Sequence, residues 1–548
     1  MQVDANAFSR LDIAFARFLS QRTKFDENRK QEFEHIVMRV SHEQNQGHSC
    51  IQLDDKSRAL MLASGLAAVP AQPTGCLPLV VDQNRLYLHR YWFYENRLAM
   101  QIKMLTKINF PVENLDPMLE RYFEDRGDET DWQREAAKMA VRQGFSIITG
   151  GPGTGKTTTV VKILALLQEL AAEKFLHIAL AAPTGKAAMR LQESIAFNKA
   201  ALPCPEQVKE HIPATATTLH RLLGAKPPSP YFNHDAEKPL MYELVVMDEA
   251  SMVDLALMSK LVDALKPGAR LILLGDKDQL ASVESGAALA DLTMALPDHT
   301  VELKKSHRFD ENIKHLADAV NCQQHDTAWQ ILRKHNKDYA VQEPNLIDYV
   351  AGQQAEYLQL IKAQAEFDEI YRAFSRFQVL CSNRHGKNSV ADINYQVEQK
   401  LAVQKLINLS GAWYSGRPVL VTQNNAAMQL YNGDIGICMP DKEQDGKLMV
   451  FFQSADGAVK KYLPTRLPHC ETVFAMTIHK SQGSEFEEVL IALPDTVNPV
   501  LTKELLYTAI TRAKKTLKLV ADEAVFAASL KQRVQRFTGL VDKFSNPD

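Results

Sequence analysis

Apolar positions along the chain fall into three textures, and each predicts a different kind of unit. In residues 1–110, Phe8, Leu11, Phe15, Phe18 and Leu19 recur at helical spacing on one face, and Phe33, Ile36, Val37 and Val40 repeat the pattern. A stretch containing Pro70, Pro73, Gly75 and Pro78 leads to the short runs Leu79–Val81 and Leu86–Leu88 around Asp82-Gln83-Asn84, which predicts a hairpin. The aromatic cluster Tyr87, Tyr91, Trp92, Phe93, Tyr94 reads as core or protein interface in preference to a surface for stacking bases.

From Leu115 the texture changes to short apolar runs alternating with helical patterns. The run ending at Gly150, then His177–Ala182, Leu244–Met247 and Leu271–Leu274, predict buried strands of a parallel sheet. Residues 341–376 are mostly polar and helical. A second α/β unit opens with the strand Phe377–Cys381, a loop over Ser382–Asn388 and a helix to about Leu401. It resumes with Val473–Ile478, Val489–Leu493, a helix from Leu501 and the strand Leu517–Ala521.

The third texture interrupts this second unit between roughly 415 and 468. Asn432-Gly433, Asp445-Gly446 and Asp456-Gly457 punctuate the β-rich runs Val419–Thr422, Ile435–Met439 and Leu448–Phe452. Tight-turn signals at this spacing predict a small antiparallel barrel. The expected organisation is an N-terminal α+β domain over 1–110, a first α/β domain over 111–340, and a second over 341–548 with the barrel inserted.

Composition narrows the class. Hydrophobic residues make up 45% and charged residues 24% of 548, as in ordinary globular proteins, and the length suffices for several cores. No membrane span is expected, and Asp4 and Asp12 replace a basic-then-apolar leader, so a cytoplasmic location is the expectation. The seven cysteines are scattered without a Cys-x-x-Cys pair, which excludes an iron–sulfur or zinc framework of that type. A net charge of −3 excludes a generally basic nucleic-acid coat, so any contact with DNA must be a local groove.

The chemistry starts at Gly150-Gly151-Pro152-Gly153-Thr154-Gly155-Lys156-Thr157-Thr158. Strand, glycine-rich loop and helix with Gly-x-x-x-x-Gly-Lys-Thr spacing make a phosphate-binding loop. Its N–H groups converge on phosphate oxygens, Lys156 reaches the β- and γ-phosphates, and Thr157 is suited to Mg²⁺. The substrate expected is therefore ATP with Mg²⁺. Asp131 is a suitable N-cap for a helix carrying Gln133, which is a candidate for reading adenine.

The strand Leu244–Met247 delivers Asp248 and Glu249, candidates for organising Mg²⁺ and polarising the attacking water. The strand at 271–274 opens into Gly275-Asp276-Lys277-Asp278-Gln279, where Gln279 is a candidate γ-phosphate sensor. Arg308, in Ser306-His307-Arg308-Phe309, and Arg512 are candidate transition-state cations. A second α/β unit lacking its own phosphate loop makes sense if nucleotide binds between the two and closes the cleft.

These ordered motifs, over about 130–520, resemble those of superfamily 1 DNA helicases of the RecD type. The resemblance rests on Gly150–Thr157, Ala182–Ala188, Asp248-Glu249-Ala250-Ser251-Met252-Val253-Asp254, Gly275–Leu280, Ser306–Phe309, Thr477–Phe486 and Tyr507–Lys514. It implies two RecA-like domains with an SH3-like β-barrel, and 5′→3′ movement on single-stranded DNA. It also implies that Gln482 and Glu485 serve the nucleotide site, Gln482 and Gln279 coupling it to the strand. Thr184, Gly185, Lys186, His220, Thr477 and His479 would lie along DNA, and Tyr231–Leu240 would form a small hairpin near the fork.

The short N-terminal region, without helix–hairpin–helix repeats, is similar to the alpha subunits of exodeoxyribonuclease V (RecBCD). That resemblance implies DNA ends as substrate and a heterotrimer with RecB, which holds the nuclease, and RecC, which receives the N-terminal domain. Alternatives are a free-standing helicase of the same branch and an assembly subunit that uses ATP only as a conformational switch.

Overall fold

Six parallel strands build the first α/β layer. In spatial order they are Thr300–Glu302, Phe145–Thr149, Arg270–Gly275, Leu244–Met247, Ile178–Ala182 and Thr217–Thr218. The computed structural model describes residues 8–70, 77–123, 130–171, 174–282, 284–304, 311–334, 346–425, 427–453 and 458–545. Alternation along each strand feeds two cores, as a two-fold side-chain period requires. Phe145, Ile147, Val245 and Met247 pack to one face, against the helices His89–Thr106 and Leu255–Asp263. Ile148, Val246, Ile272 and Leu274 pack to the other, against Trp132–Arg142, Lys156–Leu170 and Gly185–Ala200.

The second α/β layer has four parallel strands in the order Ala475–Thr477, Phe377–Cys381, Phe486–Ala492, Ala513–Val520. Inserted in it is a five-stranded antiparallel sheet, ordered Val459–Tyr462, Lys447–Gln453, Ile435–Asp441, Pro418–Val421, Cys470–Thr472. It has its own core of Val419, Val421, Leu430, Cys438, Val450 and Phe452. Among the described residues its two outer strands do not pair, so the expected barrel is seen as an open antiparallel sheet. Asn432-Gly433 and Asp445-Gly446 turn the chain as expected, with φ of +98° at Gly433 and +50° at Asp445. Asp456-Gly457 lies outside the described residues, as do Pro73 and Gly75.

The N-terminal helices are Arg10–Ser20 and Glu27–Asn45, and the hairpin is Leu79–Asp82 with Arg85–Leu88. The face that the first helix buries is only partly the expected one: Leu19 and Phe15 pack into the core as expected, Leu11 and Phe18 do not. Leu11 and Phe18 are 70% and 52% exposed, while Asp12 and Ala16 are fully buried. Asp12 explains the rotation. It closes a capping box with Ser9 and accepts a hydrogen bond from Ser41 Oγ at 2.6 Å, so a satisfied carboxylate takes the inner position. The helix His89–Thr106, read as part of the N-terminal unit, shares the core of the first α/β layer through Leu98, Ala99 and Ile102.

The chain closes on itself. After the helix Glu523–Lys531, Arg536 donates to the carbonyls of Glu284 at 2.8 Å and Gly286 at 2.7 Å, and also to that of Ser282. Phe537 N–H donates to His48 Nδ1 at 2.9 Å, and Gly539 N–H to the Glu95 carboxylate at 3.1 Å. Asp542 pairs with Arg85 and Lys543 with Asp82. This strap runs from the second layer to the seam between the N-terminal unit and the first. Glu95 is fully buried under it, and burial raises its carboxyl above the ordinary range against the pull of Ser49 Oγ and Lys543.

Candidate active site

The loops after Thr149, Ala182, Met247 and Gly275 lie at the carboxyl ends of parallel strands, where such sheets place their ligand crevices. The phosphate loop leaves Thr149 and enters the helix at Lys156. Gly155 has φ of +84°, and a Cβ there would stand 2.6 Å from Gln133 Nε2. Only glycine lets Gln133 lie against the loop, where its amide donates to Thr154 O at 3.3 Å. The Asp131 cap orients that glutamine, accepting from the N–H groups of Gln133 and Arg134. Lys156 Nζ donates to Gly150 O at 2.6 Å and Gly151 O at 3.0 Å.

A cavity of about 710 Å³ opens in front of this loop. Gln133, Pro152, Gly153, Gly155, Lys156, Thr157 and Thr158 form its floor, with Asp248, Glu249 and Gln279 at one side. Glu485, Arg512 and Lys514 face them from the second layer. Gly150, Gly151 and Thr154 shape the loop without lining the cavity. Glu249 holds a left-handed φ of +50°, costly for a side chain of its kind, and its N–H donates to Asp248 Oδ1 at 2.8 Å. Desolvation, with the Glu249 charge alongside, raises the Asp248 carboxyl; Lys156 and Arg190 pull the other way.

Arg512 is 2% exposed. Its Nε donates to Thr508 O and one terminal nitrogen to Ser484 O, both at 3.1 Å. The other terminal nitrogen is buried without a hydrogen-bond partner. A guanidinium fixed by two bonds, in a residue that lines the cavity, keeps a buried third donor without a partner. Among the described residues no group of three or more His, Cys, Asp or Glu is placed to hold a metal ion. Thr157 and Asp248 share the cavity wall, a donor set that fits Mg²⁺ completed by phosphate oxygens and water.

Other expected residues serve elsewhere. Gln482 does not line the cavity; its Nε2 donates to Leu280 O at 2.8 Å, across the cleft. Glu485 faces Arg190 at 3.8 Å and Lys514 at 3.5 Å. Thr184 and Thr477 use their hydroxyls as helix caps, accepting from Ala187 and Lys480 N–H. Gly185 lies against Tyr431 of the inserted sheet, and burial, then Arg190, brings Lys186 down to about 8, against Asp434. Burial also lowers the imidazoles of His220 and His479.

Tyr231–Leu240 forms no hairpin strands. One bridge, Ala225 with Phe232, is all the pairing there, because Pro227, Pro228, Pro230 and Pro239 lack the N–H a ladder needs. Arg308 lies outside the described residues. Sequence reasoning missed Asp276, Leu280, Tyr507 and Thr508 as individual residues. Their types are ordinary, and only their meeting across the cleft marks them.

Three families match the chain: "AAA domain" over residues 133–285, "UvrD-like helicase C-terminal domain" over 472–520, and "RecBCD enzyme subunit RecD, N-terminal domain" over 4–74. RecBCD enzyme subunit RecD of Mycolicibacterium smegmatis is 40% identical, over 87% of this chain and 85% of that protein. Its counterpart in Haemophilus influenzae is 36% identical, over 84% and 80%. The ATP-dependent RecD2 DNA helicase of Deinococcus radiodurans is 30% identical over 72% of this chain but only 50% of that longer protein. The chain belongs to the family of the RecBCD enzyme subunit RecD, a family of ATP-dependent DNA helicases.

Proposed function

We propose that the chain is a 5′→3′ single-stranded DNA translocase and helicase, the ATP-driven motor subunit of a DNA-end-processing helicase–nuclease acting in double-strand-break repair and recombination. The observation that carries the motor reading is Arg512. It reaches from the second α/β layer into a phosphate-loop cavity of the first, so hydrolysis there depends on how the two layers sit. The phosphate loop with Lys156 binds the triphosphate of ATP. Thr157 and Asp248 would hold Mg²⁺, which supplies charge neutralisation at the β- and γ-oxygens. Glu249 orients the attacking water, Gln279 senses the γ-phosphate, and Gln133 contacts the base. Arg512, with Arg308, stabilises charge on the transferring group.

Thr184, Gly185, Lys186, His220, Thr477 and His479 stand near the strand ends and form the proposed DNA path, coupled to the nucleotide through Gln482. The test is directional. On duplexes carrying one single-stranded tail, the complete enzyme with RecB motor activity removed should unwind from a 5′ tail; unwinding only from a 3′ tail would overturn the polarity.

The partners proposed are RecB and RecC, from the names of the relatives and the match over 4–74. Leu11 and Phe18, seven residues apart on one helix and exposed, offer an apolar stripe of the kind that partners cover. Replacing both by Asp in the full chain should leave single-strand-stimulated ATP hydrolysis intact and abolish recovery of the chain with RecC. Equal recovery would place the interface elsewhere. No helix among the described residues is long and apolar enough to cross a membrane.

A further inference from the structure

The helix Lys503–Ile510 and the two residues after it bring the second layer to the first at several points. Leu280 is the clearest. Its side chain belongs to the core of the second layer, although it lies in the loop that follows the strand Arg270–Gly275 of the first. Its N–H donates to Thr508 Oγ1 at 2.9 Å, and its carbonyl accepts from Gln482 Nε2. Four residues earlier, the buried Asp276 collects three donors. Asp278 N–H reaches Oδ1 at 3.0 Å, while Gln279 Nε2 at 3.0 Å and Tyr507 Oη–H at 3.1 Å share Oδ2.

One carboxylate oxygen therefore joins the proposed γ-phosphate sensor to a tyrosine of the opposite layer. Tyr507 is 7% exposed and does not line the cavity. A Cβ on Gly151 of the phosphate loop would stand 3.1 Å from its hydroxyl. The residue after it, Thr508, supplies the carbonyl that holds Arg512 Nε. A continuous path runs from Gln279 through Asp276, Tyr507 and Thr508 to the guanidinium.

We infer that Tyr507 is a positioning residue for ATP hydrolysis: its bond to Asp276 sets Arg512 in register with the phosphate loop and ties that register to Gln279. The inference rests on Arg512 being the catalytic cation. The Leu280 contacts and the buried Leu505, Leu506 and Ala509 hold the helix in place without the hydroxyl, so its removal costs alignment and not assembly.

Tyr507→Phe isolates the effect, since ring and packing stay. The turnover number for DNA-stimulated hydrolysis should fall about tenfold or more, as for loss of a hydrogen bond to a charged group. KM for ATP should change less than about twofold, because ground-state binding does not use this bond. The thermal midpoint should stay with that of the wild type. In an Arg512→Ala background, adding Tyr507→Phe should lower the rate no further, as expected of two residues acting as one unit.

Multiplying losses in the double variant, or a wild-type turnover number for Tyr507→Phe beside a slow Arg512→Ala, would overturn the positioning role alone. Wild-type turnover by Arg512→Ala itself would overturn the arginine reading and this one with it. Asp276→Asn gives a second route: it should slow turnover, and adding Tyr507→Phe to it should cost nothing further.

Discussion

Arg512→Ala should slow DNA-stimulated ATP hydrolysis by about 10³-fold or more, the scale on which arginine fingers act. The side chain is held by the carbonyls of Thr508 and Ser484, lines the cavity, and keeps one buried donor unsatisfied. In the proposed role it would contribute when charge develops on the γ-phosphoryl group, and little before that. Affinity for ATP should therefore change far less than turnover. Arg512→Lys should recover only part of the rate, because an ammonium cannot satisfy two fixed carbonyls and also reach forward as a planar fork does. Steady-state hydrolysis and equilibrium binding of a fluorescent ATP analogue measure the two halves. A turnover number within tenfold of wild type would remove Arg512 from the chemistry.

Lys156→Ala has the other large effect, and it differs in kind. The Lys156 ammonium rests on the carbonyls of Gly150 and Gly151 and must exchange them for phosphate oxygens when ATP binds. Because it contacts phosphate in the ground state as well as later, its loss should weaken ATP binding and reduce turnover by about 10²–10³-fold or more. Binding of single-stranded DNA without nucleotide should survive, since the proposed DNA path lies outside the cavity. ATPase and filter-binding assays on one preparation separate these outcomes. Hydrolysis at the wild-type rate would withdraw the loop from catalysis.

Much of this arrangement is legible in the residues. Leu244–Met247 and Phe377–Cys381 form strands with the bounds that their runs define, because a strand buried on both faces is nearly continuous in apolar residues, and the one polar position, Gln378, is buried and bonded to Phe474 O. Gly-Lys-Thr spacing places the phosphate loop, and Asn-Gly and Asp-Gly place turns of the inserted sheet. What periodicity misses depends on contacts distant in sequence. Asp12 turns the first helix by bonding Ser41, and Tyr507 takes its meaning from Asp276, 231 residues earlier. The strap of 533–545 carries no motif; its side chains Arg536, Asp542 and Lys543 find partners hundreds of residues away, which no local pattern announces.

That strap has a consequence in time. His48 and Phe537, bonded in the finished fold, are 489 residues apart. At roughly 5–20 residues per second of synthesis, the seat is made roughly 25–100 s before its occupant. Through that interval Glu95 lacks the N–H of Gly539 and meets water in its place. Docking of the strap then buries the carboxylate and supplies it with the Gly539 N–H. Maturation of the fold thus ends in a late closure, and a nascent chain is open at this seam until almost all of it has been made.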